Sequence, residues 1–326
     1  MRLPLLPALA LALSLPVLTA ALPSPAHAQY ENEERLLVLA TGPVTDASHA
    51  VGGAIQRLVN RALEEHGLRI LLEATSGDAA NERGLNSGQF DLVMLQGELE
   101  DKTGQNALFS LTQSGLVIAV RVESDIKELP DLSGRKLGLN DPEDRLFPAV
   151  WASAGLAPAG LSEVRRVEWA GQAAALCGGD IDVLVVKAAP PHAGLYATAS
   201  TCRIRFVGLP DDVIRRLSET RDTVVPVTIP AEAYPGVKDN VSSVGIPLMV
   251  VAREELEEQA GFDITKTVFE AFDDLRRQHP SLIWLSPEDS ARHDYGLPRN
   301  PGATQYFEAV RLLPEQQDQD ASQEQQ

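Results

Sequence analysis

The chain has 326 residues, with 46 Asp and Glu against 28 Lys and Arg, a formal net charge of −18. That acidity argues against nucleic acid or an anionic membrane surface as partner. The length allows two modest lobes, each with a core of its own.

The first expected element is a targeting segment. Arg2 precedes a long stretch rich in Leu and Ala, and Ala26-His27-Ala28 has the A-x-A form of a cleavage site before Gln29. Pro4, Pro7 and Pro16 interrupt the stretch and oppose a stable spanning helix. Residues 1–28 are therefore expected to be a signal peptide, and no later apolar run reaches the ~18 residues of a membrane span. In an oxidising compartment the two cysteines, Cys177 and Cys202, are most simply read as a disulfide, two buried free thiols being the alternative. Neither has the paired Cys or His spacing of a zinc site, and no metal or cofactor is expected.

A short apolar strand at 36–40 runs into the loop Thr41 to His49. A helix is expected over 50–65, with Val51, Ala54, Ile55, Leu58, Val59 and Ala62 on one face. The apolar run 68–72 then breaks at Thr75, Ser76 and Gly77, a helical segment follows over 78–86, and a second strand over 90–95 ends on Gln96. Such a loop places backbone N–H groups and small polar side chains in a crevice beside the sheet. An ordinary strand-to-helix turn with a capped helix is the equal alternative.

Glu73, Ala74, Thr75, Gly77, Asn81, Leu85, Gly88, Asp91 and Gln96 carry a resemblance. Their spacing is similar to the second motif of the TAXI family, the solute-binding receptors of tripartite ATP-independent periplasmic (TRAP) transporters. The first motif is matched in position but only through Thr41 and Gly42, with Ser48-His49 where the family has a tyrosine pair. His49 is read either as a ligand contact or as a solvated first-turn residue. Leu116 to Val120 reads as a buried strand where the family crosses to its second lobe. The third motif departs most: Asn140-Asp141-Pro142-Glu143-Asp144-Arg145 replaces a turn rich in Gly, Ser and Thr.

The remaining elements follow in order. Strands are expected at 137–139, 164–167, 179–186 and 203–208, and helices to about 154, over 170–177 and over 211–221. Pro190-Pro191 is expected to open a helix with the φ its first turn requires. Gly179-Asp180-Ile181-Asp182 and Ile229-Pro230-Ala231 with Tyr234-Pro235-Gly236 resemble further TAXI segments. The stretch 244–251 looks like the return crossing, helices at 265–278 and 301–310 follow, and beyond Pro314 the chain reads as a solvated tail.

The resemblance implies an α/β protein of the type II periplasmic-binding-protein fold: two lobes joined by two crossing strands, with a ligand cleft between them. Lobe 1 would comprise 29–119 and 245–313, lobe 2 120–244, and 314–326 the tail. It implies a periplasmic receptor, expected as a monomer, that captures a small polar solute by hinge closure and delivers it to a membrane-embedded TRAP permease, or else signals to a membrane sensor kinase. The expected ligand surface is Thr41, Ser48, His49, Thr75, Ser76, Asn81, Gln96, Asn140 and Arg145. Acids at Asp46, Asp78, Asp141, Glu143 and Asp144, where the family has small residues, favour a zwitterionic, cationic or neutral solute over a dicarboxylate. No nucleophile elbow, metalloprotease helix, phosphate loop or dinucleotide fingerprint is present, so no enzyme is expected.

Overall fold

Two parallel triplets of strands and the two long strands that join them define the molecule. The computed structural model describes residues 35–313 apart from 45, 64–66, 98, 100, 141–144 and 161–162. The expected signal peptide, the tail from 314, and Asp141, Glu143 and Asp144 lie outside the described residues.

In the first triplet β1 (Arg35–Thr41) pairs in parallel with β2 (Leu68–Ala74) along its whole length and with β3 (Leu92–Leu95) on its other edge. The crossovers are α1 (Ala47–Ala62) and α2 (Asp78–Asn86). Gly52 lets α1 lie against the sheet, since a Cβ there would stand 2.6 Å from Thr41 Cγ2. The long strand β4 (Gln105–Arg121) then leaves this triplet for the next. The second triplet is β5 (Lys136–Leu139), β6 (Glu163–Arg166) and β7 (Val183–Ala188), with β5 parallel to both neighbours. Its helices are α3 (Leu146–Ser153), α4 (Gln172–Gly178) and α5 (Ala193–Thr201). After β8 (Ile204–Phe206), α6 (Asp211–Thr220) and β9 (Val225–Ile229), β10 (Val241–Arg253) returns to the first triplet. Helices α7 (Glu258–Glu270), α8 (Phe272–Arg276), α9 (Pro287–Arg292) and α10 (Pro301–Ala309) complete the described chain.

The strand order is β2-β1-β3-β10-β4 around the first triplet and β6-β5-β7-β4-β8 around the second. Each lobe thus has a parallel triplet followed by one antiparallel crossing strand, then one further strand. This is the type II periplasmic-binding-protein fold.

Side chains alternate across the sheet, and the two faces pack differently. On one, a continuous core runs from Leu85, Phe90 and Val93 through Leu116, Ile118, Val244 and Ile246 to Phe147, Trp151, Val213 and Leu217. On the other there are two cores, one around Ile55, Phe109, Phe269 and Phe307, the other around Leu176, Leu184, Leu195 and Phe206. One face is therefore packed through the crossing, and the opposite face has a seam.

Several local expectations are corrected. Helix α1 begins at Ala47 because Asp46 caps it, its carboxylate accepting from Ser48 N at 2.8 Å. Pro190 and Pro191, joined by a cis peptide bond, precede the cap His192, so they do not form the first turn of α5. The run read as one helix over 265–278 is α7 and α8, separated at Ala271. Cys177 and Cys202 form a disulfide that ties the far ends of α4 and α5 together.

Candidate functional site

Strand register shows where the two triplets point. Leu95, the last residue of β3, lies opposite Met249, so β3 ends toward the early part of β10. Ala188, the last residue of β7, lies opposite Gly115, and Gly115 lies opposite Gly245. Both triplets therefore run their carboxyl ends toward one crossing point, the Gly115–Gly245 pair. Parallel α/β sheets bind ligands outside these carboxyl ends. The glycines are needed for close approach: a Cβ on Gly115 would stand 2.4 Å from Ile229 Cδ1, and one on Gly245 2.9 Å from Ser114 O.

At the first lobe's edge the predicted residues form a connected network. Thr41 Oγ1 shares a 2.9 Å hydrogen bond with His49 Nδ1, and Gly42 N donates to Ser48 Oγ at 3.1 Å. Thr75 Oγ1 lies 2.8 Å from Thr41 O and 2.6 Å from Asn81 Oδ1, donating to one of them while accepting from Gly77 N at 3.0 Å. Asn81 is fully buried and its Nδ2 donates to Met94 O at 2.9 Å. Both of its amide atoms are engaged, and it binds the loop to β3. Gln96 reaches the crossing itself, Nε2 donating to Ser114 Oγ at 2.9 Å and to Ile246 O at 3.1 Å. Ser76 stands exposed beside this network.

Asp78 does not cap α2, whose cap is Gly77. Its Oδ2 accepts from Gln96 N at 3.0 Å. The side chain remains open to solvent, yet the protein atoms around it raise its pKa, first by desolvation; the Gln96 bond and the charge of Lys187 in β7 act in the opposite direction. Lys187 thus brings a charge of the second lobe into the field of the first.

The second lobe's edge is built differently. Asn140 follows β5 and is partly buried, while Arg145 stands exposed at the start of α3. Among the described residues no hydrogen bond joins either to the first lobe's network. More is assembled at the ends of β6 and β7. The Trp169 indole, 46% exposed, stacks on His192 with ring centroids 4.1 Å apart. His192 Nδ1 accepts from Leu195 N at 3.3 Å, and its backbone N donates to Tyr234 Oη at 3.2 Å. Burial pushes the His192 pKa down to about 4 and that of Tyr234 up to about 12. Gln172, the first residue of α4, is fully buried, and among the described residues neither of its amide atoms has a hydrogen-bond partner. Sequence reasoning missed Trp169, Gln172 and His192 as a group. The available signal was their position just after two strands of a parallel triplet.

A cavity of about 530 Å³ opens on the seam, walled by Gln113 and Gly115, by Pro190 and Val227, and by Trp284 and Asp289. Thr41, Ser48 and Gln96 are not among its walls, so it lies beside the first lobe's edge. Thr75 lines a separate depression of about 790 Å³ between β2 and α2, with Arg83 and Phe90. Among the described residues no group of His, Cys, Asp or Glu is placed to hold a metal ion.

Residues 39–309 match the model of the NMT1-like family. The chain belongs to the NMT1-like family. No curated protein matches it. Among solved structures it is similar to the periplasmic aliphatic sulphonate binding protein SsuA from Escherichia coli, at 12% identity over 86% of this chain and 94% of that one, with a TM-score of 0.48. It is also similar to the probable amino-acid ABC transporter extracellular-binding protein YtmK from Bacillus subtilis, at 16% identity over 78% and 99% of the two chains, TM-score 0.47. A third is substrate binding domain 2 of GlnP from Lactococcus lactis, at 14% identity over 76% and 94%, TM-score 0.46.

Proposed function

We propose that this NMT1-like chain is an extracytoplasmic receptor that captures a small polar solute between its lobes and performs no chemistry on it. The observation that carries this reading is the convergence of both parallel triplets on the Gly115–Gly245 crossing. Lobe 1 is assigned 29–119 and 245–313, and lobe 2 120–244. Ligand touching both edges stabilises the closed arrangement, and a membrane partner reads that closure. The partner is proposed to be a TRAP permease, on the strength of the TAXI-like spacing from Glu73 to Gln96.

Each edge has its part. Thr41, Ser48, His49 and Thr75 shape the first-lobe surface, Asn81 holds that surface rigid, and Ser76 and Asp78 stand at its open side. Gln96 joins the surface to both crossing strands, so a ligand bound there senses the hinge. Asn140 and Arg145 belong to the opposing face.

The test is a thermal-shift screen of amino acids, dicarboxylates, polyamines and neutral amides. A true ligand at about 100 times its Kd adds about 2.7 kcal/mol of stability. Gln96→Leu should abolish that gain while leaving a folded protein. A gain unchanged in Gln96→Leu, or no gain from any solute, contradicts the reading. Uptake into permease-bearing vesicles that depends on the added receptor tests the transport partner.

A further inference from the structure

The cluster at the openings of α4 and α5 has a property the first lobe's edge lacks. Gln172 keeps a complete carboxamide in the interior with no partner among the described residues for its donor or its acceptor. A buried polar group left unpaired is costly, and natural interiors keep few of them. The surroundings preserve the space it occupies. A Cβ at position 194 would stand 2.3 Å from Gln172 Oε1 and 3.0 Å from His192 Cε1, so Gly194 makes room for both groups. The amide therefore lies beside the His192 ring, against the first turn of α5.

His192 is fixed in its orientation. Nδ1 accepts from Leu195 N, which leaves the proton of the neutral ring on Nε2. The low pKa keeps the ring neutral at physiological pH. Trp169 lies on that ring with about half of its surface open. Together Trp169, Gln172, Gly194 and His192 offer an aromatic face, the neutral N–H groups of the indole and imidazole, and an amide edge, and none of the four carries a charge. A carboxylate or ammonium placed there would lose hydration without gaining a counter-charge from these four residues.

We propose that the Trp169–His192 stack is the entrance to a binding subsite for a flat, uncharged group that carries both a donor and an acceptor, such as an aromatic carboxamide. The group displaces Trp169 from His192, stacks against the indole and supplies the partners that Gln172 lacks. This rests on the reading of the cleft as a solute site and narrows the solute's chemistry.

The experiment titrates the full chain with benzamide, benzoate and cyclohexanecarboxamide into the millimolar range, following tryptophan fluorescence and melting temperature. Benzamide is expected to bind at least about tenfold more tightly than either analogue, about the weight of one good hydrogen bond or stacking contact. Gln172→Met should weaken it about tenfold, and Trp169→Ala should remove both the binding and the fluorescence change. Benzoate binding as tightly as benzamide, or benzamide binding unaltered in both variants, overturns the proposal. If benzamide fails to bind while a screened solute binds in a Gln96-dependent way, this subsite is refuted and the receptor stands. If no solute of either set binds, both readings fall.

Discussion

The two edges that meet at the crossing are built on opposite principles. On the first lobe, Thr41, Ser48, Thr75, Asn81 and Gln96 satisfy one another or the nearby backbone. On the second, Gln172 is buried without a partner among the described residues and Trp169 is open. The first edge is finished before any ligand arrives; it supplies shape and a link to the hinge. The second keeps hydrogen-bonding capacity in reserve, and that is where discrimination among solutes should reside.

The largest effect should come from what braces the second edge. The Cys177–Cys202 bond joins the far ends of α4 and α5, whose near ends carry Gln172 and His192, and spans a sequence separation of 25. Replacing both cysteines by alanine should cost about 3 kcal/mol, or roughly 5 °C in melting temperature, in scans run without reductant. A variant as stable as the parent would show that the brace is dispensable.

Asn81→Leu should cost about 2–3 kcal/mol in denaturant titrations, because Thr75 loses a partner and Met94 O loses the buried amide that donates to it. A cost below ~0.5 kcal/mol would mean that the first-lobe network is ornamental.

His192 adds a pH dependence confined to the second edge. Its folded pKa of about 4 lies below the ordinary 6.5, so the unfolded chain takes up the proton first. The stability tied to this group is complete above pH 6.5 and is lost as pH falls toward 4. Asn at 192 keeps a capping acceptor without titrating there. Melting curves should show the parent losing stability relative to His192→Asn across that window; parallel curves would contradict the burial of the ring.

The smallest change should come from Gln172→Met. Filling the same space with an apolar side chain removes the unpaired amide, so unfolding should be unaltered or up to about 1 kcal/mol more favourable to the fold. A loss comparable to that of Asn81→Leu would erase the contrast between the edges.

Much of the first edge was legible because its signals are local. Thr41, Thr75 and Gln96 each stand where an apolar run ends, and α2 lies where the sequence places it, over Asp78–Asn86. The bonds from Gln96 to Ser114 and Ile246 were not legible, since they depend on the register of strands far apart in sequence. The second edge was sought at Asn140 and Arg145 because the resemblance supplied a motif there. The unpaired amide of Gln172 was invisible, because orphanhood depends on every neighbour at once. Strand β9 was missed because Val225–Ile229 contains Pro226, is followed at once by Pro230 and lacks a clean alternation. It pairs with β10 and places Val227 and Ile229 over the crossing glycines.

The central claim is that one ligand engages both edges at the crossing. Hydrogen–deuterium exchange, with and without the tightest-binding solute from the screen, tests it directly. The account predicts simultaneous protection at 41–49, 75–81 and 96 on the first lobe and at 169–172 and 190–195 on the second. Protection of one edge alone, or protection centred on the seam cavity around Trp284 and Asp289, would contradict it.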